Sequence, residues 1–185
     1  MIYPTTQLKK KFDKKDFRVG ASSAKVYSWY IISTLFFHTG LIPFSSLLVL
    51  ILRLFGANIG RNVRIKPGIR IKYPWKLSVD DHSWLAACHI ENLDEVTIGK
   101  NVCVSQQAML LTGSHNYKIP SFDLITKPIV LYNGAWIGAK AVVCPGVTVA
   151  THAVLTVGSV ATKNMLPYMI YQGNPAIQIR KRTLL

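Results

Sequence analysis

His115 stands in the stretch Thr112-Gly113-Ser114-His115-Asn116-Tyr117, and its type and setting suit acid–base chemistry. Imidazole changes charge near neutral pH, so it can take a proton from a hydroxyl during a reaction. The same residue is equally compatible with a solvated loop, and one histidine alone defines no reaction. Cys88, Cys103 and Cys144 are odd in number, widely spaced and form no CxxC pair. That is the pattern of reduced thiols in a cytosolic protein. Cys103 and Cys144 fall inside repeat units and are expected to be small fillers there.

What must position His115 is a regular scaffold that breaks at that point. Leu131, Ile137, Val143, Val149 and Leu155 fall six residues apart, and Ala135, Ala141, Val147, Ala153 and Ser159 follow them at a spacing of four. Neither a 3.6-residue helix nor a two-residue strand alternation needs such a rule. It suits a chain wound into a triangular coil, with one side per six residues. The aliphatic residue fills the interior and the small one fits near each corner, as in a parallel β-helix of hexapeptide repeats. Ile59, Ile65 and Ile71 keep the phase, as do Val79 with Leu85, and Ile98, Val104 and Leu110. It slips near Tyr73 and again at 91–95. Between Leu110 and Leu131 the gap is 21 residues, so a surface loop, about 113–128, must leave the coil there. Residues 57–160 predict five or six coils, a prism on the order of 25 Å tall at about 4.8 Å per strand.

The chain divides near Phe55. Residues 1–55 read as a basic, apolar helical segment and residues 56–185 as the all-β solenoid. Residues 26–52 carry no formal charge, and Gly40 and Pro43 divide them into two helices, about 26–38 and 44–55. One reading is a cap over the open end of the solenoid, which otherwise exposes a bare apolar cross-section. A second is attachment to a membrane surface, with Lys9, Lys10, Lys11, Lys14, Lys15 and Lys25 on anionic lipid and Trp29 and Tyr30 at the interface. A third is a true span. The late start of the apolar run argues against a cleaved signal peptide.

Net charge is +14. Residues 1–25 hold seven Lys/Arg and residues 53–76 another seven, whereas five of the eight acids lie within 80–95. Such a surplus suits nucleic acid, anionic lipid or phosphorylated ligands. No helix-turn-helix, zinc-finger or RNA-recognition signature is present, so nucleic acid is not expected.

Three stretches, VTIGKNVCVSQQAMLLTGSHNY (96–117), GAWIGAKAVVCPGVTVATHAVLTVGSVATKN (134–164) and YQGNPAIQIRKR (171–182), resemble the hexapeptide-repeat acyltransferases. Within that superfamily the chain resembles the maltose and galactoside O-acetyltransferases. Through LILRLFGANIG (50–60), ENLDEVTIG (91–99) and FDLITKPI (122–129) it is most similar to colanic-acid-type exopolysaccharide O-acetyltransferases. The resemblance implies a left-handed parallel β-helix, a homotrimer with sites between neighbouring prisms, and acetyl transfer from acetyl-CoA to a sugar hydroxyl. It implies that His115 is the general base and acts by direct attack, with no covalent intermediate and no metal.

The resemblance also places the acceptor near 91–95. Glu91 and Asn92 could bind sugar hydroxyls there, or belong to a solvated turn. Leu93 stands where the galactoside branch has an acid. For CoA the resemblance points to the coil edges at Ala139 and Val157 for the pantetheine, and to Thr162 and Lys163 for the adenine–phosphate end. Trp136 packs on the pantetheine or walls the cleft. Arg180, Lys181 and Arg182 suit phosphates, or form a solvated tail. A zinc enzyme of the γ-carbonic-anhydrase type needs three imidazoles, but residues 116–151 hold no histidine. The repeat is also compatible with a non-catalytic scaffold, and with a different acyl donor or acceptor. The expected location is cytoplasmic, with the inner face of the membrane as one possibility.

Overall fold

The computed structural model describes residues 5–8, 14 and 17–184. Residues 58–161 form five triangular coils of short parallel strands, and a partial sixth follows. On the first face Ile59, Val79, Ile98, Leu131 and Val149 lie in register. On the second, Ile65, Leu85, Val104, Ile137 and Leu155 do so, and Tyr171 extends the column. On the third the column is Ile71, Ile90, Leu110, Val143 and Ala161. All of these side chains are buried. Each large aliphatic one contributes about 1.5–3 kcal/mol of hydrophobic stabilisation.

The six-residue rule has a second half at the corners. Three residues after each inward aliphatic of the first face, the backbone turns through the left-handed region, at Asn62, His82, Asn101, Gly134 and His152. Asn and Gly adopt that region most readily. At Gly134 a Cβ would collide with the imidazole of His152. The small position fits tightly too: the Ser83 hydroxyl donates to Gly99 O at 2.6 Å and accepts from Val102 N–H at 3.0 Å, which keeps a buried polar group bonded.

The phase slips have separate causes. At the first, a one-turn 3-10 helix, Pro74–Lys76, inserts two residues, and Trp75 and Lys76 donate to the carbonyls of Val19 and Arg18. The second slip starts earlier than the periodicity suggests. Ile90 points inward five residues after Leu85, because a tight turn (Cys88 N–H to Ala86 O, 2.7 Å) shortens one corner. Cys88 is therefore the buried filler. Cys103, expected in that role, sits on the outer side of the wall between Trp84 and Trp136, and Cys144 is half-buried. At the third break the chain leaves after Met109–Leu111 as an antiparallel hairpin, Gly113–His115 with Leu124–Thr126, and returns at Ile129–Leu131.

At the N-terminal end, helix α1 (Ser23–Ser33) continues as a π-helical turn, Thr34–His38, and α2 spans Ser45–Leu54. Together they cover the exposed edge of the first coil. The Ile65 N–H donates to Ser45 Oγ and the Gly68 N–H to Phe37 O. Arg53 donates to Ile59 O and Gly60 O, and Trp29 Nε1 to Ile71 O. Trp29, which the membrane-surface reading places at a lipid interface, is instead buried, because Trp29, Ser33 and Phe37 recur every four residues on the side facing the coil. Lys9, Lys10, Lys11 and Lys15 lie outside the described residues. Among the described residues, no helix is long and apolar enough to cross a membrane.

Leu131 is fully buried between two coils. Leu131→Ala should lower the unfolding free energy by about 2–5 kcal/mol in urea titrations at fixed protein concentration. A loss well under this range would contradict the interior column.

Candidate active site

His115 ends the first strand of the hairpin, directly opposite Leu124. Its Nδ1 lies 2.8 Å from Phe122 O, and its ring stacks on the Phe122 ring at 4.5 Å and 9°. A carbonyl can only accept, so Nδ1–H is the donor, and in the neutral imidazole Nε2 is then the acceptor nitrogen. This is the tautomer a general base needs. Phe122 has a positive φ of 52°, which turns its carbonyl toward the imidazole. Nothing in the sequence marks Phe122 as this partner, because the contact depends on how the hairpin closes.

The segment 91–95 joins this hairpin at its root. Thr112 donates through both its N–H and its hydroxyl to Glu91 O, and its Oγ1 accepts from Asp94 N–H. The Glu91 carboxylate faces outward and is held by His89 Nε2 at 3.0 Å and Lys72 Nζ at 3.1 Å. The hydrogen bond from His89, with that from Lys72, holds its pKa below the usual carboxylate value against a desolvation cost. Asn92 is different. It is fully buried, and its carboxamide accepts from Tyr73 N–H and donates to Tyr73 O. Its groups are committed to the first phase slip rather than turned to a ligand. Leu93 packs against Gly113, where a Cβ would clash with it.

Glu91 lies on the floor of a groove of about 280 Å³ between α1 and the third face. Trp29, Tyr30 and Tyr73 supply aromatic walls, and His38, Arg70, Lys72 and His89 supply polar groups. Burial, with Arg70 nearby, lowers the His38 pKa and favours its neutral form. Aromatic walls with charged donors and an ionised acceptor suit a polyhydroxylated ligand.

A second groove, of about 420 Å³, runs along the second face. It brings together three residues expected to meet CoA, Trp136, Ala139 and Val157, and adds Ser105 and Gln106. Trp136 Nε1 donates to Ser105 Oγ at 3.0 Å, which fixes the ring as a wall. A neighbouring groove lined by Arg64, Lys66 and Trp84 shares Ser105 and Gln106. Trp84 and Trp136 occupy the outward position just before an interior aliphatic residue. A large exposed aromatic at that position was a sequence signal for the groove.

The basic residues are not gathered at one point. Thr162 and Lys163 are exposed just after the third-face strand Val160–Ala161. Arg180 is exposed on the terminal strand Ala176–Lys181, opposite Ile170. Arg182 donates to Gly134 O and His152 O, which ties the tail to another corner. The Cys88 thiol is pushed up to about 12 by burial, so it is no nucleophile near neutral pH. Among the described residues, no three His, Cys, Asp or Glu side chains are grouped to hold a metal.

No family model matches the chain. It is 36% identical over 169 residues to the colanic acid biosynthesis acetyltransferase WcaF of Escherichia coli K12, covering 91% of this chain and 92% of that protein. It is 30% identical over 130 residues to the galactoside O-acetyltransferase of the same organism, covering 68% and 64%. A hexapeptide-repeat acetyltransferase from Vibrio cholerae O1 biovar eltor, solved with acetyl-CoA, superimposes with a TM-score of 0.78 at 21% identity, over 89% of this chain and 92% of that one. The solenoid is the left-handed parallel β-helix of these acetyltransferases.

Because folding lowers the Glu91 pKa, its ion pairs add stability above the usual carboxylate range. That stability is lost as pH falls through the lowered folded value. In thermal melts from pH 7 to pH 3, Glu91→Gln should lose part of the acid-induced fall in Tm. A variant curve parallel to the parent would show that the pairs are not formed.

Proposed function

The chain belongs to the hexapeptide-repeat acetyltransferase family that includes WcaF, and from that membership we propose that it transfers acetyl from acetyl-CoA to a sugar hydroxyl in exopolysaccharide or surface-glycan biosynthesis. The observation that supports the reading is the Nδ1 contact of His115 with Phe122 O, which in the neutral ring leaves Nε2 as the nitrogen able to take a proton. In the proposed step Nε2 takes the proton of the acceptor hydroxyl as its oxygen attacks the thioester carbonyl. A C–O bond forms, the C–S bond breaks, and the imidazolium returns the proton to the departing CoA thiolate. Histidine general-base catalysis supplies about 10²–10⁴-fold in rate.

In this reading the acceptor lies in the α1 groove, with Glu91 accepting from its hydroxyls. The pantetheine follows the groove of Trp136, Ala139 and Val157, and Thr162, Lys163 and Arg180 meet the adenine–phosphate end. Arg182 supports that end through its bonds to Gly134 and His152. We take the active form to be a homotrimer with clefts between neighbouring prisms. Trp84, Trp136 and Val157 support this, since they are 55%, 46% and 69% exposed on the single chain. We place the reaction in the cytoplasm at the inner face of the membrane, where the basic N-terminal segment would meet anionic lipid.

His115→Ala should lower thiol release with a panel of sugar acceptors by about 10²–10⁴-fold. Acetyl-CoA should still raise its Tm, as a ligand of the native state must. Near-normal turnover in this variant would overturn the assignment. Lys163→Glu with Arg180→Glu should raise the KM for acetyl-CoA more than that for the acceptor. An unchanged KM would remove these residues from the CoA site.

A further inference from the structure

Helix α1 is apolar on two sides. One side packs on the coil. On the other, Tyr27, Tyr30 and Ile31, with Leu35 of the π-helical turn that continues the helix, recur at spacings of three and four and are 70%, 71%, 57% and 55% exposed. In α2, Leu50 and Leu54 repeat the pattern at 52% and 74% exposed. A water-facing helix surface normally carries charge, and this one carries almost none. No acidic residue occurs between Asp16 and Asp80, whereas Lys14, Arg18 and Lys25 precede or open α1. Lys25 lies over the Trp75 ring at 5.1 Å, whereas Lys14 and Arg18 are exposed. Exposed apolar and tyrosine side chains on a segment whose exposed charges are positive match a bilayer with anionic headgroups, where the rings sit at the interface and the cations meet phosphate.

We infer that the outward apolar stripe of α1 and the π-helical turn after it is a docking face for an anionic membrane surface. It deepens the proposed membrane location, replacing buried Trp29 with a specific exposed set. Tyr30 belongs both to the stripe and to the wall of the Glu91 groove, which Val26 also lines, so the two surfaces adjoin along α1. Docking through the stripe holds that groove beside the headgroups, where a lipid-borne glycan would present its sugar. This consequence rests on the proposed acceptor site, whereas the docking itself does not.

The test is co-sedimentation of the full chain with phosphatidylglycerol–phosphatidylcholine vesicles and with phosphatidylcholine vesicles. Binding should need phosphatidylglycerol and weaken as salt rises. The combined variant Tyr27→Ser, Ile31→Ser, Leu35→Ser should bind at least about tenfold more weakly. Its oligomeric mass, its acetyl-CoA-dependent Tm shift and its transfer to a soluble sugar should match those of the parent. Failure of the parent to bind at low salt, or undiminished binding by the variant, would overturn the inference. So would a change in the variant's oligomeric mass, because the stripe would then be covered by a second copy. Loss of transfer by parent and variant alike, with vesicle binding intact, would instead count against acetyl transfer.

Discussion

Every coil of this prism rests on the one below through buried aliphatic side chains stacked on each face and the parallel backbone bonds beside them. The column Ile59, Val79, Ile98, Leu131 and Val149 shows how strict this is. Side-chain direction alternates along a strand, so a shift of one residue would turn an aliphatic residue outward. A departure from the repeat is tolerated only where the chain leaves at a corner and returns in phase. The hairpin carrying His115 does this: it leaves after Leu111 and returns at Ile129, in register with Val96.

That constraint concentrates polar function at the breaks. Within a regular coil the inward position is aliphatic, the corner needs a left-handed backbone, and little remains for chemistry. At the breaks the chain can place carboxylates and imidazoles outside the wall without opening the interior. Glu91 and Thr112 link the second break to the third, so the Glu91 groove proposed for the acceptor and the base of the His115 hairpin are one hydrogen-bonded unit. The first break joins them through Asn92 and Tyr73.

The ends of the solenoid pose the opposite problem, since each leaves a bare cross-section. At the N-terminal end α1 and α2 bond the backbone edge of the first coil and bury Trp29, Phe37, Leu48 and Leu52. At the other end Met169–Gly173 pairs with Ala176–Lys181, and Arg182 ties the tail to the corners at Gly134 and His152. The N-terminal helices meet this need with one side, and among the described residues the other side is an exposed apolar stripe.

The sequence by itself determined the triangular solenoid, most of its interior columns and the excursion of the chain at His115, because a six-residue repeat of aliphatic and small residues leaves few other folds; that the excursion closes as a hairpin was decided by the fold. Through its motifs it also determined the acetyltransferase family. Tertiary structure decided what depends on contacts between distant segments. Phe122 O orients His115 only because the hairpin closes. Asn92 turns inward and Glu91 outward because a shortened corner at Cys88 shifts the phase by one residue. Trp29 is buried and Tyr30 exposed because α1 lies across the first coil at one particular rotation. Periodicity states which residues share a face, but only packing decides what that face meets.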